Sequence, residues 1–294
     1  MSPTILKSQP MRGADTLARP EYPMPADACD SHVHVFESAT KYPSVSAPHY
    51  TLPDGTLSQL THMTDALALQ RFVIVQPSYY GTDNSCMLDA LRAAGARARG
   101  VAMVGESCTD EDLTAMHLRG VRALRLDLFL RSHWQTADII AYVEHSVRRT
   151  RAIGWHVQFY TPGWVVRDLL PFLGTLDADF VIDHMGYMLE SDGLTDSDFE
   201  RLVSVLRGGR GWIKLSAPYR LAKDGNFERL RPMARAIIES APDRVIWGSD
   251  WPHIPDGGKD TGALLNLLSD WAPDAAARDR ILVTNPARLF GFEE

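Results

Sequence analysis

The sequence predicts a single (β/α)8 barrel, and three observations support that fold class. After residue 27, eight short apolar runs alternate with about eight amphipathic segments in a chain of 294 residues. Several of the runs are apolar on both faces, which is typical of parallel strands covered by helices. No change of composition marks a second domain, so we expect an irregular segment at residues 1–27 and a barrel at residues 28–294.

The strands are predicted at the apolar runs, in chain order ACDSHVHVF, RFVIVQPS, GVAMVG, VRALRLDL, WHVQFY, FVIDHMG, GWIKLSA and RVIWGSDWP. Helical patterns lie between them, for example TADIIAYVEHSVRRTRAIG and DSDFERLVSVLRGG. Many of these patterns begin with an Asp, Asn, Ser or Thr that can cap a helix, and several end at Gly. A doubly wound open sheet is the alternative arrangement, but no G-x-G-x-x-G and no P-loop motif follows a predicted strand.

The composition is that of a globular protein, with 45% hydrophobic and 23% charged residues. The formal net charge of −7 argues against binding to nucleic acid or to an anionic membrane surface. The first residues lack the apolar core of a signal peptide, and no later run is long enough to span a bilayer. The three cysteines are far apart and form no zinc-type spacing. We therefore expect a cytoplasmic protein, whose oligomeric state the sequence does not indicate.

The run ACDSHVHVF contains two histidines, His32 and His34, that are one residue apart. Side chains of a strand alternate with period two, so both imidazoles point the same way, together with Asp30. Such a pair either binds a metal or a substrate oxygen, or consists of two histidines with a purely structural role. The other predicted strand ends decide between these interpretations.

Polar and ionisable residues follow most of the other predicted strands, where the active sites of barrels lie. They are Ser78 after strand two, Arg125 and Arg131 at strand four, Tyr160 at strand five, His184 at strand six, Arg220 after strand seven and Asp250 at strand eight. Each has a structural explanation when it is taken alone. Because strands one, six and eight converge in a closed barrel, either a metal site or a proton-transfer site is predicted at His32, His34, His184 and Asp250.

With these motifs the chain resembles the amidohydrolase superfamily, and within it the 2-pyrone-4,6-dicarboxylate lactonase group. The likeness covers nearly the whole chain after about residue 27, including HVHVF, VIVQPSYYGTDN, RALRLDLFLR, VIDHMG, VIWGSDWPH and LVTNPARLFGF. The resemblance implies a hydrolase that opens a small anionic lactone. Its expected substrate is 2-pyrone-4,6-dicarboxylate, which would give an open-chain oxo-tricarboxylate in the catabolism of aromatic compounds.

The resemblance also implies a role for each residue of the site. Asp250 would deprotonate the attacking water, while His32, His34 and His184 would polarise the lactone carbonyl. The two carboxylates of the substrate would be bound by Arg125, Arg131, Arg220, Tyr160, Ser78 and Tyr50. A planar guanidinium group matches a carboxylate with two hydrogen bonds, which agrees with several arginines at one barrel mouth.

Three positions depart from the pattern of the lactonase group. Val33 stands between the histidines where the group commonly has cysteine, Tyr80 stands where a histidine is usual, and Asp127 replaces an asparagine. A carboxylate at position 127 could pair with Arg125 and change which acid group is accepted.

No cofactor is expected, although a mononuclear divalent metal is possible at His32, His34, His184 and Asp250. The ends of strands four and five have no lysine or glutamate to bridge two metal ions, and the nearby arginines oppose a dication. Three alternatives remain open from the sequence: a hydrolase of a sugar-acid lactone or muconolactone, a metal-dependent decarboxylase, and a non-catalytic barrel that binds an organic anion.

Overall fold

A computed structural model describes residues 9–45, 52–188, 193–255 and 257–292. Its eight strands form one parallel sheet in which the spatial order equals the chain order. The strands are β1 (Cys29–Val33), β2 (Arg71–Val75), β3 (Ala98–Ala102), β4 (Val121–Asp127), β5 (His156–Tyr160), β6 (Phe180–Ile182), β7 (Gly211–Ser216) and β8 (Val245–Gly248). Each lies within a predicted apolar run or begins within two residues of it.

Helices connect the strands and cover the outside of the sheet. They are α1 (Leu57–Ala66), α2 (Ser85–Ala94), α3 (Asp110–Leu118), α4 (Thr136–Arg151), α5 (Gly163–Leu173), α6 (Asp196–Arg207), α7 (Pro218–Leu221), α8 (Arg231–Ser240), α9 (Thr261–Trp271), α10 (Ala275–Asp279) and α11 (Asn285–Phe290). Thr56, Thr109 and Thr195 cap α1, α3 and α6 through capping boxes. Within the described ranges, no helix has both the length and the apolar character that crossing a membrane requires.

The sheet closes where the end of β8 meets β1. The amide of Asp250 donates to the carbonyl of His32 (2.9 Å), and the amide of His34 donates to the carbonyl of Trp251 (2.8 Å). Gly248 permits this approach, because a Cβ there would lie 2.6 Å from the Cβ of His32. The predicted (β/α)8 barrel is confirmed, and the same closure joins two of the predicted site residues.

The described part of the N-terminal segment runs along α9. Its one regular element is a 3₁₀ turn at Ala14–Thr16. The hydroxyl of Tyr22 donates to the carbonyl of Leu265 (3.2 Å), and Tyr22 is buried. A Cβ at Gly262 would lie 1.9 Å from the carbonyl oxygen of Ala18, so only glycine lets the segment approach the start of α9.

Candidate active site

Three imidazoles surround one carboxylate oxygen at the carboxyl ends of the strands. Asp250 Oδ1 lies 3.4 Å from His34 Nε2, 3.6 Å from His32 Nε2 and 4.0 Å from His184 Nε2. All four residues are buried, and Oδ1 has no hydrogen-bond partner among the described residues. The structure thus brings together the four residues that the convergence of strands one, six and eight predicted.

Backbone strain accompanies two of these residues. Asp250 has φ +62° and His184 has φ +54°. The left-handed region costs a non-glycine residue about 1–2 kcal/mol. Because β6 ends at Ile182 and β8 at Gly248, both turns come immediately after a strand and direct the side chains into the barrel mouth.

The second oxygen of Asp250, Oδ2, accepts hydrogen bonds from two side chains. Oδ2 accepts from the hydroxyl of Tyr219 (2.6 Å) and from Arg220 Nε (2.8 Å), while Arg220 Nη2 also donates to the carbonyl of Ile254 (2.8 Å). Burial opposes ionisation, but the guanidinium of Arg220 holds the pKa of Asp250 well below its usual range. Asp250 is therefore ionised at neutral pH, and Oδ1 is the oxygen available to take a proton.

Hydrogen bonds at Nδ1 orient the histidines. His34 Nδ1 lies 2.7 Å from the carbonyl oxygen of Val75, so Nδ1 carries a hydrogen and donates it. His184 Nδ1 lies 2.8 Å from Ser216 Oγ. Burial lowers the pKa of His184 to about 4 and that of His32 well below its usual value. Both rings are therefore neutral at pH 7.

A buried lysine that the sequence analysis missed lies beneath these histidines. Lys214 Nζ donates to Gln158 Oε1 (2.8 Å) and lies 3.2 Å from His32 Nδ1 and 3.3 Å from Asp183 Oδ1. Asp183 Oδ1 also lies 3.4 Å from His32 Nδ1, so the ammonium and the carboxylate both face this nitrogen. A hydrogen bond from Lys214 to Nδ1 places the hydrogen of His32 on Nε2, whereas a hydrogen bond from Nδ1 to Asp183 keeps it on Nδ1.

Lys214 and Asp183 form a buried ion pair. Both side chains are completely buried. Burial lowers the pKa of Lys214, and it opposes ionisation of Asp183, but the ammonium holds the pKa of Asp183 well below its usual range. The signal in the sequence was a lysine in the middle of the apolar run GWIKLSA.

Arg125 and Asp127 lie side by side without pairing. Arg125 Nη1 donates to the carbonyl of Gln76 (2.6 Å), and its guanidinium carbon lies 4.6 Å from the centre of the Tyr160 ring. Asp127 Oδ2 accepts from the hydroxyl of Ser78. Arg125 thus forms no ion pair with Asp127 in the part of the chain that the structure describes.

Arg131 stands beyond the end of β4. Its Nη1 donates to the carbonyl of Asp127 (3.0 Å), and its guanidinium carbon lies 4.4 Å from the centre of the Tyr142 ring. Tyr80 is buried, and its hydroxyl accepts from the amide of Glu37 (3.3 Å). Tyr50, which was predicted to bind substrate, lies outside the described residues.

An aromatic wall, formed by Phe129, Tyr160 and Tyr187, lines one side of the mouth. The Phe129 ring centre lies 4.5 Å from that of Tyr160 and 5.3 Å from that of Tyr187. The Tyr187 ring centre in turn lies 5.6 Å from that of His184. Phe129 is 36% exposed, so its ring is available to a ligand. Only Tyr160 was among the predicted site residues, because Phe129 and Tyr187 carry no charge or motif that marks them.

Two overlapping groups of side chains have the spacing of metal ligands. One comprises His32, His34 and Asp250, and the other His32, Asp183 and His184. Three imidazole nitrogens and a carboxylate oxygen are a donor set that suits zinc. His32 Nε2 has no partner among the described residues. Metal binding through this atom requires His32 to carry its hydrogen on Nδ1, which lies 3.4 Å from Asp183 Oδ1 and 3.2 Å from Lys214 Nζ.

Comparison with known proteins places this site in a family. The profile of the amidohydrolase family matches residues 29–292. The chain is 33% identical to a 2-pyrone-4,6-dicarboxylate hydrolase of Comamonas testosteroni, over 94% of both chains. It is 34% identical to a 4-sulfomuconolactone hydrolase of Hydrogenophaga intermedia, over 91% of this chain and 90% of that one.

A solved structure from Acinetobacter baumannii superposes with a TM-score of 0.75 and 28% identity, over 90% of this chain and 99% of that one. That protein is described as a "probable 2-pyrone-4,6-dicarboxylic acid hydrolase" and has citric acid bound. The profile match spans nearly all strands and helices described above, including the three imidazoles and Asp250. The chain belongs to the amidohydrolase family.

Proposed function

We propose that this amidohydrolase hydrolyses a carboxylated lactone, with Asp250 as the general base. The observation that carries the proposal is the position of Asp250 Oδ1, which has no hydrogen-bond partner among the described residues and faces three imidazoles. Two relatives that cover more than nine-tenths of the chain are named as hydrolases of lactones. The arginines at the mouth supply the positive charge that a carboxylated substrate needs.

The arrangement supports a simple sequence of proton transfers. Asp250 Oδ1 takes a proton from the attacking water, while Tyr219 and Arg220 hold Oδ2 in place. In this proposal Lys214 donates to Nδ1 of His32, so that His32 carries its hydrogen on Nε2 and donates it to the oxygen on which negative charge develops. One donor placed in this way stabilises such an oxyanion by about 3–4 kcal/mol. The proton on Asp250 then passes to the ring oxygen that leaves.

A divalent ion, if one binds, would be held by His32, His34, His184 and Asp250, and would polarise the lactone carbonyl as a Lewis acid. Tyr219 and Arg220 would still hold Asp250 Oδ2, but a ligating His32 Nε2 would no longer donate a hydrogen bond to the substrate. A pyrone expels an enolate-like oxygen, which is a better leaving group than a simple alkoxide, so strong donors such as His32 Nε2 can serve without the ion.

The first candidate substrate is 2-pyrone-4,6-dicarboxylate. The Comamonas relative is named for this compound, and the Acinetobacter relative holds citric acid, which is also a polycarboxylate. Arg125 and Arg131, together with Arg220, Tyr160, Ser78 and Tyr50, are proposed to bind its carboxylates. The second candidate is a muconolactone or sugar-acid lactone with fewer carboxylates, which the carboxylate of Asp127 at the mouth favours.

The proposal is tested by a ring-opening assay. The ultraviolet absorbance of 2-pyrone-4,6-dicarboxylate, and separately of muconolactone, is followed with purified protein in the presence and absence of a chelator. We expect the protein to hydrolyse at least one of these lactones, at a rate that the chelator does not change. If the chelator abolishes activity and added zinc or manganese restores it, the metal has a catalytic role. Turnover of neither lactone nor a sugar-acid lactone, with or without metal, would contradict the proposed function.

Arg131→Met is expected to raise KM about 10- to 100-fold and to change kcat less than about threefold. The reason is that a guanidinium hydrogen-bonded to a substrate carboxylate acts equally in the ground state and the transition state. Steady-state kinetics measure both constants. Arg119→Met is the matched control, because Arg119 is an exposed arginine on the surface after α3. An unchanged KM in Arg131→Met would remove Arg131 from the binding site.

A further inference from the structure

Asp127 is a buried carboxylate in the cationic part of the mouth. It ends β4, and only 2% of it is exposed. Oδ1 accepts from the amide of Leu130 (3.3 Å), and Oδ2 accepts from the hydroxyl of Ser78. Arg125 and Arg131 donate to backbone carbonyl oxygens and form no ion pair with this carboxylate among the described residues. Asp127 therefore adds a negative charge that neither neighbouring guanidinium contacts.

The bond from Ser78 to Asp127 sets the polarity of the serine. A hydroxyl has one hydrogen, and Ser78 donates it to Asp127. Towards a ligand, Ser78 then offers only lone pairs, which repel a carboxylate and attract a hydroxyl or another donor. This is the opposite of the hydrogen bonding that a substrate carboxylate needs at Ser78.

The charges at the mouth lead to the same result. Among the described residues, the mouth contains three positive and two negative side chains. The positive ones are the guanidinium groups of Arg125, Arg131 and Arg220, and the negative ones are the carboxylates of Asp127 and Asp250. The surplus is one positive charge. An uncharged residue at position 127 would leave a surplus of two, which would match a dicarboxylate.

We propose that Asp127 is a specificity-determining residue that adapts this site to a lactone with a single carboxylate. The inference rests on the proposed lactone hydrolysis and chooses between its two candidate substrates. The ring of the substrate presents a hydroxyl or a hydrogen, not a second carboxylate, to Ser78 and Asp127. Its one carboxylate is bound by Arg125 and Arg131, and its ring lies against the aromatic wall.

The first test uses the unaltered protein and needs no turnover. Isothermal titration calorimetry compares benzoate with isophthalate, two planar six-membered rings that carry one and two carboxylates. We expect benzoate to bind about tenfold more tightly, because a second carboxylate near Asp127 meets a like charge. Tighter binding of isophthalate would overturn the proposal, whatever lactone the enzyme hydrolyses.

The second test changes the charge at the site. Asp127→Asn keeps the size of the side chain, and the ratio of kcat/KM for 2-pyrone-4,6-dicarboxylate to that for muconolactone should rise about tenfold or more. Asp138→Asn is the control, because it makes the same change of net charge at an exposed position on α4. The control should leave the ratio unchanged.

A double variant separates the effect of the charge at position 127 from the effect of the Ser78 hydroxyl. In Asp127→Asn the hydroxyl of Ser78 is released, so adding Ser78→Ala should remove part of the gain for the dicarboxylate. If wild type prefers the dicarboxylate and Asp127→Asn leaves the ratio unchanged, the proposal fails while lactone hydrolysis stands. If no lactone is turned over, the proposed function fails, and the titration with benzoate and isophthalate still decides the charge preference.

Discussion

Asp250→Asn is expected to lower kcat about 1,000-fold while ligand binding changes only a few-fold. The variant lacks the carboxylate oxygen that takes the proton of water, and a positioned general base contributes about 10²- to 10⁴-fold. The amide keeps nearly the same volume and can still accept from Tyr219, so the mouth should retain its shape. Single-turnover kinetics measure the chemical step, and calorimetry with the intact lactone measures binding.

The control for this variant is Tyr219→Phe, which removes one hydrogen bond to Asp250 Oδ2 but leaves the carboxylate and Arg220 in place. We expect it to change kcat less than about tenfold. Thermal unfolding of both variants shows whether Arg220, left without its counterion in Asp250→Asn, destabilises the fold. Activity of Asp250→Asn near the wild-type level in a folded protein would remove Asp250 from the role of base.

Much of the fold follows from periodicity and length alone. Runs that are apolar on both faces are stable only as strands covered by helices, and eight of them in one chain close into a barrel. The convergence of His32, His34, His184 and Asp250 follows from that closure, since the first, sixth and eighth strand ends share one mouth. The ends of β6 and β8 were less predictable, because the left-handed turns at His184 and Asp250 stop the strands earlier than the apolar runs.

The partners of the site residues did not follow from the sequence. Trp212, Lys214 and Ser216 share one face of β7, but the alternation alone does not indicate whether that face lines the barrel or lies under the helices. The sequence therefore gave no reason to place Lys214 beside His32. Likewise, the order of residues did not predict that Arg220 pairs with Asp250, because that contact depends on the direction in which α7 leaves β7.

Lys214→Met is expected to destabilise the fold by about 3–5 kcal/mol at pH 8. Among the described residues, Lys214 is the one lysine or arginine that pairs with Asp183, and removing one member of a buried pair leaves the other as an uncompensated charge. Without the ammonium, the largest opposition to burial is lost, so the pKa of Asp183 rises. Lowering the pH then protonates Asp183 in the folded variant, so the loss of stability should be smaller at pH 5 than at pH 8. Urea unfolding at the two pH values measures the difference.

The matched control is the double variant Lys214→Met, Asp183→Asn, which removes both charges. Replacing both members of a buried pair is far less damaging than removing one, so the double variant should regain most of the lost stability and its pH dependence. The role of the ion pair would be contradicted if Lys214→Met lowered the free energy of unfolding equally at pH 5 and pH 8. It would also be contradicted if adding Asp183→Asn did not reduce that loss. In the refolded double variant the ammonium of Lys214 no longer donates to His32 Nδ1. We therefore expect kcat to stay low, about tenfold or more below wild type, although stability has returned. That separation would show that the Lys214–Asp183 pair orients the oxyanion donor in addition to stabilising the barrel.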